Sequence, residues 1–249
     1  MTTGVGGSYW FRAPVWRGTH RLRVVALATP VLAASVSDTR TVTVKMPYRP
    51  QGRTSDWTWL SHRGARWDPG RTITYRINPR GSYPGSAVDI RGTFRRVGMV
   101  TGLRFDYLGR TTKEIWRHRL GYHPVGTDIV VDWQSPKEEA GLSGRVTGIG
   151  GHWVQGGRRF DGYMLLDRTA RLSRGTWRQV MTHEVGHVLG LGHAHSPRQL
   201  MYGVSSELNE RLGAGDLTAL ARVGASGGCL GDRTERAVPG AGPVPVDGA

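Results

Sequence analysis

Thr182-His183-Glu184-Val185-Gly186-His187-Val188-Leu189-Gly190-Leu191-Gly192-His193 is the stretch that decides how this chain is read. On a helix, residues four apart are offset by only about 40° around the axis, so His183 and His187 present their imidazoles on one face. Glu184 follows the first histidine and points elsewhere, free to hold a water. Gly190 lets the chain leave the helix through a left-handed conformation that a side chain would resist. That turn can bring His193 back as a third nitrogen ligand. Three protein ligands with a fourth position open is the arrangement of a catalytic zinc, whereas structural zinc is closed by four. The spacing therefore implies a hydrolase, with His183, His187 and His193 on the metal and Glu184 as its catalytic carboxylate. His, Glu, His, Gly and His at fixed offsets arise by chance on the order of 10⁻⁷ per starting position, so the pattern is specific. Val180, Met181, Val185, Val188 and Leu189 supply an apolar face, and Thr176 with Gln179 reads as a capping box.

HExxHxxGxxH is the signature of the metzincin metalloproteases, and this chain resembles that clan. Met201, in Gln199-Leu200-Met201-Tyr202-Gly203, stands where the clan has a methionine turn beneath the metal. The Leu-Met-Tyr string and its spacing from His193 are most similar to the matrixin branch, in its secreted bacterial form. The resemblance implies an α+β fold: a twisted mixed five-stranded sheet with an active-site helix, a second long helix and a small C-terminal subdomain. Strands are expected at Thr72–Ile77, Leu103–Leu108, Asp128–Trp133, Gly148–Val154 and Phe160–Asp167, with a helix from about Ser86 to Val100 and a closing helix from Gly215 to about Val223. Gly148–Val154 is placed like the edge strand that pairs with extended substrate in the family, near His152 and Trp153. Met201 would support the metal site by packing and not by ligation.

Departures from the family pattern narrow what the resemblance implies. Ala194 and Gly203 replace the usual Ser and Pro. Arg159 stands before Phe160-Asp161 where many relatives have a histidine ligand of a second zinc, so that site is expected to be missing and His152 to be an ordinary polar residue. Asp161 and Asp167 could help bind Ca2+, which the family often uses, though turn carboxylates are the plainer reading. The offset of His195 does not match the motif. Residues 38–55 hold no cysteine of the kind that silences matrixin zymogens, and the single cysteine, Cys229, follows the catalytic domain. No intrachain disulfide can form.

Arg17, Arg21 and Arg23 precede the apolar run Val24–Ala34 and the small residues Ser35-Val36-Ser37, the composition of a secretory signal peptide cleaved near 34–37, or of a retained N-terminal anchor. The run is too short for a membrane span. The expected organisation is 1–37 leader or anchor, 38–54 short linker, 55–224 metalloprotease domain and 225–249 Gly/Pro-rich disordered tail. Net charge is +15, yet only Lys45, Lys113 and Lys137 are lysines and the arginines are scattered without a nucleic-acid motif. The partner expected is a protein or peptide substrate, met by a monomer, with no dedicated nucleic-acid partner; association with anionic cell-surface polymers fits the charge. The competing reading is a basic, polyanion-binding secreted protein whose zinc is not catalytic.

Overall fold

The computed structural model describes residues 16–230, together with the backbone of two short strands at Thr2–Thr3 and Tyr9–Trp10. The chain divides into two compact units, Met1–Tyr48 and Arg49–Ala249.

In the first unit Gly18–Leu22 pairs antiparallel with Arg40–Val44, and Val25–Ala26 with Ser35–Val36. The apolar run 24–34 is thus drawn into a hairpin, with Leu27 and Val31 at least four-fifths exposed. Within the expected linker, residues 40–44 form a strand, and in the second unit Gln51 O accepts the Ala214 N–H at 2.7 Å. Among the described residues no helix is long and apolar enough to cross a membrane.

The second unit is α+β. Its elements are β1 (Thr58–Trp59), β2 (Thr72–Ile77), α1 (Ser86–Thr101), β3 (Arg104–Arg110), β4 (Ile129–Gln134), β5 (Gly148–Gln155), β6 (Arg158–Asp167), α2 (Arg174–Val188), β7 (Leu191–Gly192) and α3 (Ala214–Val223). Five strands form one mixed sheet in the order β5-β6-β4-β2-β3. All its pairs are parallel except β5 with β6, which leaves β5 as an antiparallel edge. The sequence explains the order. Every residue of β4, Ile129-Val130-Val131-Asp132-Trp133-Gln134, is buried, as a central strand covered on both faces must be. β2 alternates buried and less buried positions, and Tyr75 stacks on Phe94 of α1 at 4.1 Å between ring centroids. The β5–β6 hairpin turns through Gly156 and Gly157, both at positive φ, as a two-residue turn of this twist requires.

The two long helices meet around an aromatic cluster. Trp133 of β4 lies 4.9 Å from Trp177 of α2 and 5.7 Å from Tyr83, edge to face in both pairs. Val130, Ile149, Tyr163 and Leu165 of the sheet bury together with Ile115 and Leu142 of the connections. The ordered chain runs past the expected end of the domain. Leu230 N–H reaches Asp68 Oδ1 at 3.3 Å and Gly228 O accepts from Arg66 at 3.0 Å, so the chain keeps contact with the second unit as far as Leu230. The remainder of that tail, 231–249, lies outside the described residues.

Candidate metal centre

α2 begins one turn earlier than the expected capping box. Ser173 is the N-cap and its hydroxyl accepts the Thr176 N–H at 3.1 Å, because Gln179 is buried inside the helix and needs partners there. Its amide donates to Asn209 Oδ1 at 2.6 Å and to the Ser206 and Asn209 carbonyls, tying the helix to the loop that follows the methionine turn.

Two turns further on, His183 and His187 share a face, and Gly190, at φ 97°, turns the chain so that His193 meets them. One ligand nitrogen from each of the three lies within 4.8 Å of the others. The His183 Nδ1 bonds the Leu200 carbonyl at 2.8 Å and the His187 Nδ1 bonds the Leu191 carbonyl at 2.7 Å. A carbonyl only accepts, so both Nδ1 atoms carry the proton and both Nε2 atoms present a lone pair. His187 Nε2 faces His193 Nε2 at 3.2 Å, and His183 Nε2, fully buried, has no hydrogen-bond partner. Burial, with the neighbouring imidazoles adding to it, lowers His187 well below its ordinary value, and burial lowers His183 to about 4. Both rings are therefore neutral at neutral pH, the form that binds metal.

Glu184 is fully buried on the same helix, and neither carboxyl oxygen has a well-formed hydrogen bond. Burial pushes this carboxyl up to about 8, against a weaker pull from the Gly150 N–H. The glycines of β5 make the pocket it occupies: a Cβ at Gly148 would stand 2.7 Å from Glu184 Oε1, and one at Gly150 would overlap the Glu184 carbonyl oxygen. The sequence reading took Gly148–Val154 only as an edge strand. The alternate glycines were the signal for a close approach of another backbone.

The methionine turn lies where the motif implies. Met201 is buried, and a Cβ at Gly186 would overlap its Sδ, so the thioether packs directly against the metal-binding helix. Ala194 is buried and its N–H reaches the Met201 carbonyl at 2.8 Å. Sequence reasoning missed Asp216, the support of that turn. Its carboxylate accepts from Leu200 N at 2.6 Å, Gly213 N at 2.7 Å and Met201 N at 3.2 Å. Burial pushes this carboxyl up to about 6 against the pull of those three N–H donors. Because the Leu200 carbonyl also holds His183, one residue links Asp216 to the first imidazole.

The remaining candidates stand apart. His195 is exposed, 3.5 Å from Asp56. His152 is buried and bonds the His187 carbonyl through Nδ1 at 3.0 Å. Arg159 is also buried, and burial lowers its guanidinium to about 9. Asp167 accepts from the Thr169 N–H and hydroxyl, a turn carboxylate, and Asp161 accepts from Gly121 N at 3.3 Å. Cys229 is exposed and free. Among the described residues His183, His187 and His193 form the one group of metal-ligating side chains.

No curated relative matches the chain. The M10 peptidase family model, Matrixin, matches residues 66–222. That match takes in the whole five-stranded sheet and all three facing imidazoles, over more than half of the sequence, and the chain belongs to the matrixin family of zinc metallopeptidases.

Proposed function

We propose that the protein is a secreted zinc-dependent endopeptidase in which His183, His187 and His193 hold the metal and Glu184 is the general base. The observation that carries this reading is the convergence of one nitrogen each from His183, His187 and His193, within 4.8 Å of one another, at the helix that also carries the fully buried Glu184. Those atoms suit zinc, which takes neutral imidazoles and keeps a position open in catalytic sites. Bound there, zinc supplies a Lewis acid for the scissile carbonyl and a water acidified toward about pH 7. Glu184, which a cation held by the three imidazoles would keep ionised, would accept a proton from the attacking water and return it to the departing amine. Gly148 leaves the carboxylate room, and Gly150 lets the α2 backbone approach β5 closely. The free edge of β5 receives the substrate as an added strand, so backbone hydrogen bonds orient the peptide. The protein acts as a monomer, residues 1–37 serve as leader or anchor, and the surplus of arginine favours acidic cell-surface polymers.

The test is cleavage of a quenched-peptide library by the full chain, with and without a chelator, beside Glu184→Gln. Wild type should cleave in a chelator-sensitive way. Glu184→Gln should lose activity by about 10²–10⁴-fold while keeping zinc. Full activity in that variant would overturn the base assignment, and a wild type that binds no zinc would overturn the metal reading. Exported protein that still begins at Met1 would remove cleavage of the leader and leave the anchor.

A further inference from the structure

The third imidazole stands outside the helix, so its position depends on the path of residues 188–192. Each carbonyl along the first part of that path has a donor. His187 O takes the His152 imidazole and the Gly190 N–H, Val188 O takes Trp67 Nε1 at 2.9 Å, and Leu189 O takes Arg159 Nε at 3.2 Å. Gly190 O takes the Leu60 N–H at 3.0 Å, and beyond the turn His193 O takes the Thr58 hydroxyl at 2.7 Å.

Arg159 differs from the other donors in two ways. It is a cation buried to 3 % exposure, and its Nη1 and Nη2 have no hydrogen-bond partner. An isolated buried charge is strongly unfavourable unless something answers it. Here the answer is the negative C-terminal end of α2, where the carbonyl of the C-cap residue Leu189 accepts from Nε. The same group also lies flat on the turn: a Cβ at Gly190 would overlap Arg159 Nη2, Cζ and Nε. Gly190 is therefore required twice, for its left-handed φ and for the bare face that the guanidinium covers.

We propose that Arg159 is a positioning residue for the metal: gripping the Leu189 carbonyl and the face of Gly190, it fixes the turn that delivers His193 to the other two imidazoles. This inference rests on the zinc reading of those imidazoles. A lysine cannot replace it, since a point charge on a flexible stem has neither the plane that covers Gly190 nor the fixed Nε donor.

The experiment compares Arg159→Met, Arg159→Lys and Val97→Ala in the full chain. Val97, buried in α1 and outside the segment 183–193 that carries the imidazoles, serves as a control for lost stability alone. Zinc affinity is measured by chelator competition, the cobalt(II)-substituted protein gives a visible spectrum, and thermal unfolding reports stability. Arg159→Met should bind zinc about 10–100-fold more weakly, as loss of a group that orients a metal ligand does, and should shift the cobalt spectrum. Val97→Ala should lower the unfolding midpoint and leave affinity and spectrum unchanged. A folded Arg159→Met with wild-type affinity and spectrum would overturn the proposal. So would a Val97→Ala that loses as much affinity for the same loss of stability. Should Arg159→Met fail to fold, Arg159→Lys decides: weakened zinc binding supports positioning and wild-type binding overturns it. A wild type that binds no zinc fails earlier, at the metal reading, and takes this inference with it.

Discussion

The two ends of α2 are held by opposite kinds of contact. At the N-terminal end Ser173 caps from the surface, and the roughly half-exposed guanidiniums of Arg174 and Arg178 reach the buried Asp89 of α1 at 2.6 and 2.8 Å. At the C-terminal end His152, Trp67 and Arg159, all buried, take the carbonyls of His187, Val188 and Leu189. The electrostatics also differ. Arg174, in the first helical turn, opposes the positive end of the macrodipole, and the Asp89 carboxylate relieves it; Arg159 at the other end is favoured by the dipole itself. Contacts from half-exposed donors secure the helix to its neighbour. Contacts from buried donors are kept for the end that carries His187 and the turn to His193.

The sharpest way to break this contrast is at Gly190. Gly190→Ala places a side chain at φ 97° and drives it into Arg159. We expect a loss of about 2–4 kcal/mol in urea unfolding, from backbone strain together with displacement of a buried charged group. Zinc affinity should fall with it, because both grips on the turn are lost together. A cost below about 1 kcal/mol with unchanged affinity would mean that the C-terminal end is as forgiving as the other.

This contrast also marks how far the sequence could be read. His183, His187 and the role of Gly190 follow from the geometry of one helix and one turn, so spacing alone reveals them. β2, β4 and α1 are legible for the same reason: alternation, an unbroken apolar run and a 3.6-residue period are local patterns. Contacts between distant segments leave no such trace. Arg159 meets a glycine 31 positions later, Asp216 holds a turn more than a dozen residues earlier, and Trp67 reaches Val188. Each needed the fold before its partner could be named. The misplaced cap of α2 has a related cause: Ser173 and Thr176 are equivalent as local signals, and only the burial of Gln179 separates them. Composition is likewise silent about pairing, so neither the hairpin that holds 24–34 nor the contacts of Gly228 and Leu230 can be read from it.

At the N-terminal end, Asp89→Asn should cost about 2 kcal/mol at pH 7, the scale of charge-assisted hydrogen bonds lost from a buried carboxylate. Burial works to raise the Asp89 pKa, but the hydrogen bonds from Arg174, Arg178 and Tyr83 outweigh it and hold the carboxyl below its ordinary value. The sign follows from that depression. The contribution is complete above the unfolded value of about 3.9 and is lost as pH falls through the lower folded value. Unfolding curves of wild type and variant should therefore converge on the acid side and stay parallel above about pH 5. Zinc affinity should not change. If it falls, the surface end is coupled to the metal after all.

The smallest effect is expected at Ser173. Its hydroxyl satisfies one orphan N–H of the first turn, from Thr176 at 3.1 Å, in an exposed position. Replacing a serine cap by alanine costs about 1 kcal/mol, since water then serves the freed N–H. Ser173→Ala should lower the urea midpoint by that amount and leave zinc affinity at the wild-type value. The second half of that expectation is the more searching one. α2 is one rigid element of 15 residues from Arg174 to Val188, so fraying its first turn could in principle loosen all of it. Trp177 sits between that turn and the ligands, 4.9 Å from Trp133 and buried against the sheet, and should stop the fraying there. A loss of zinc affinity in Ser173→Ala would show that the aromatic cluster does not isolate the two ends.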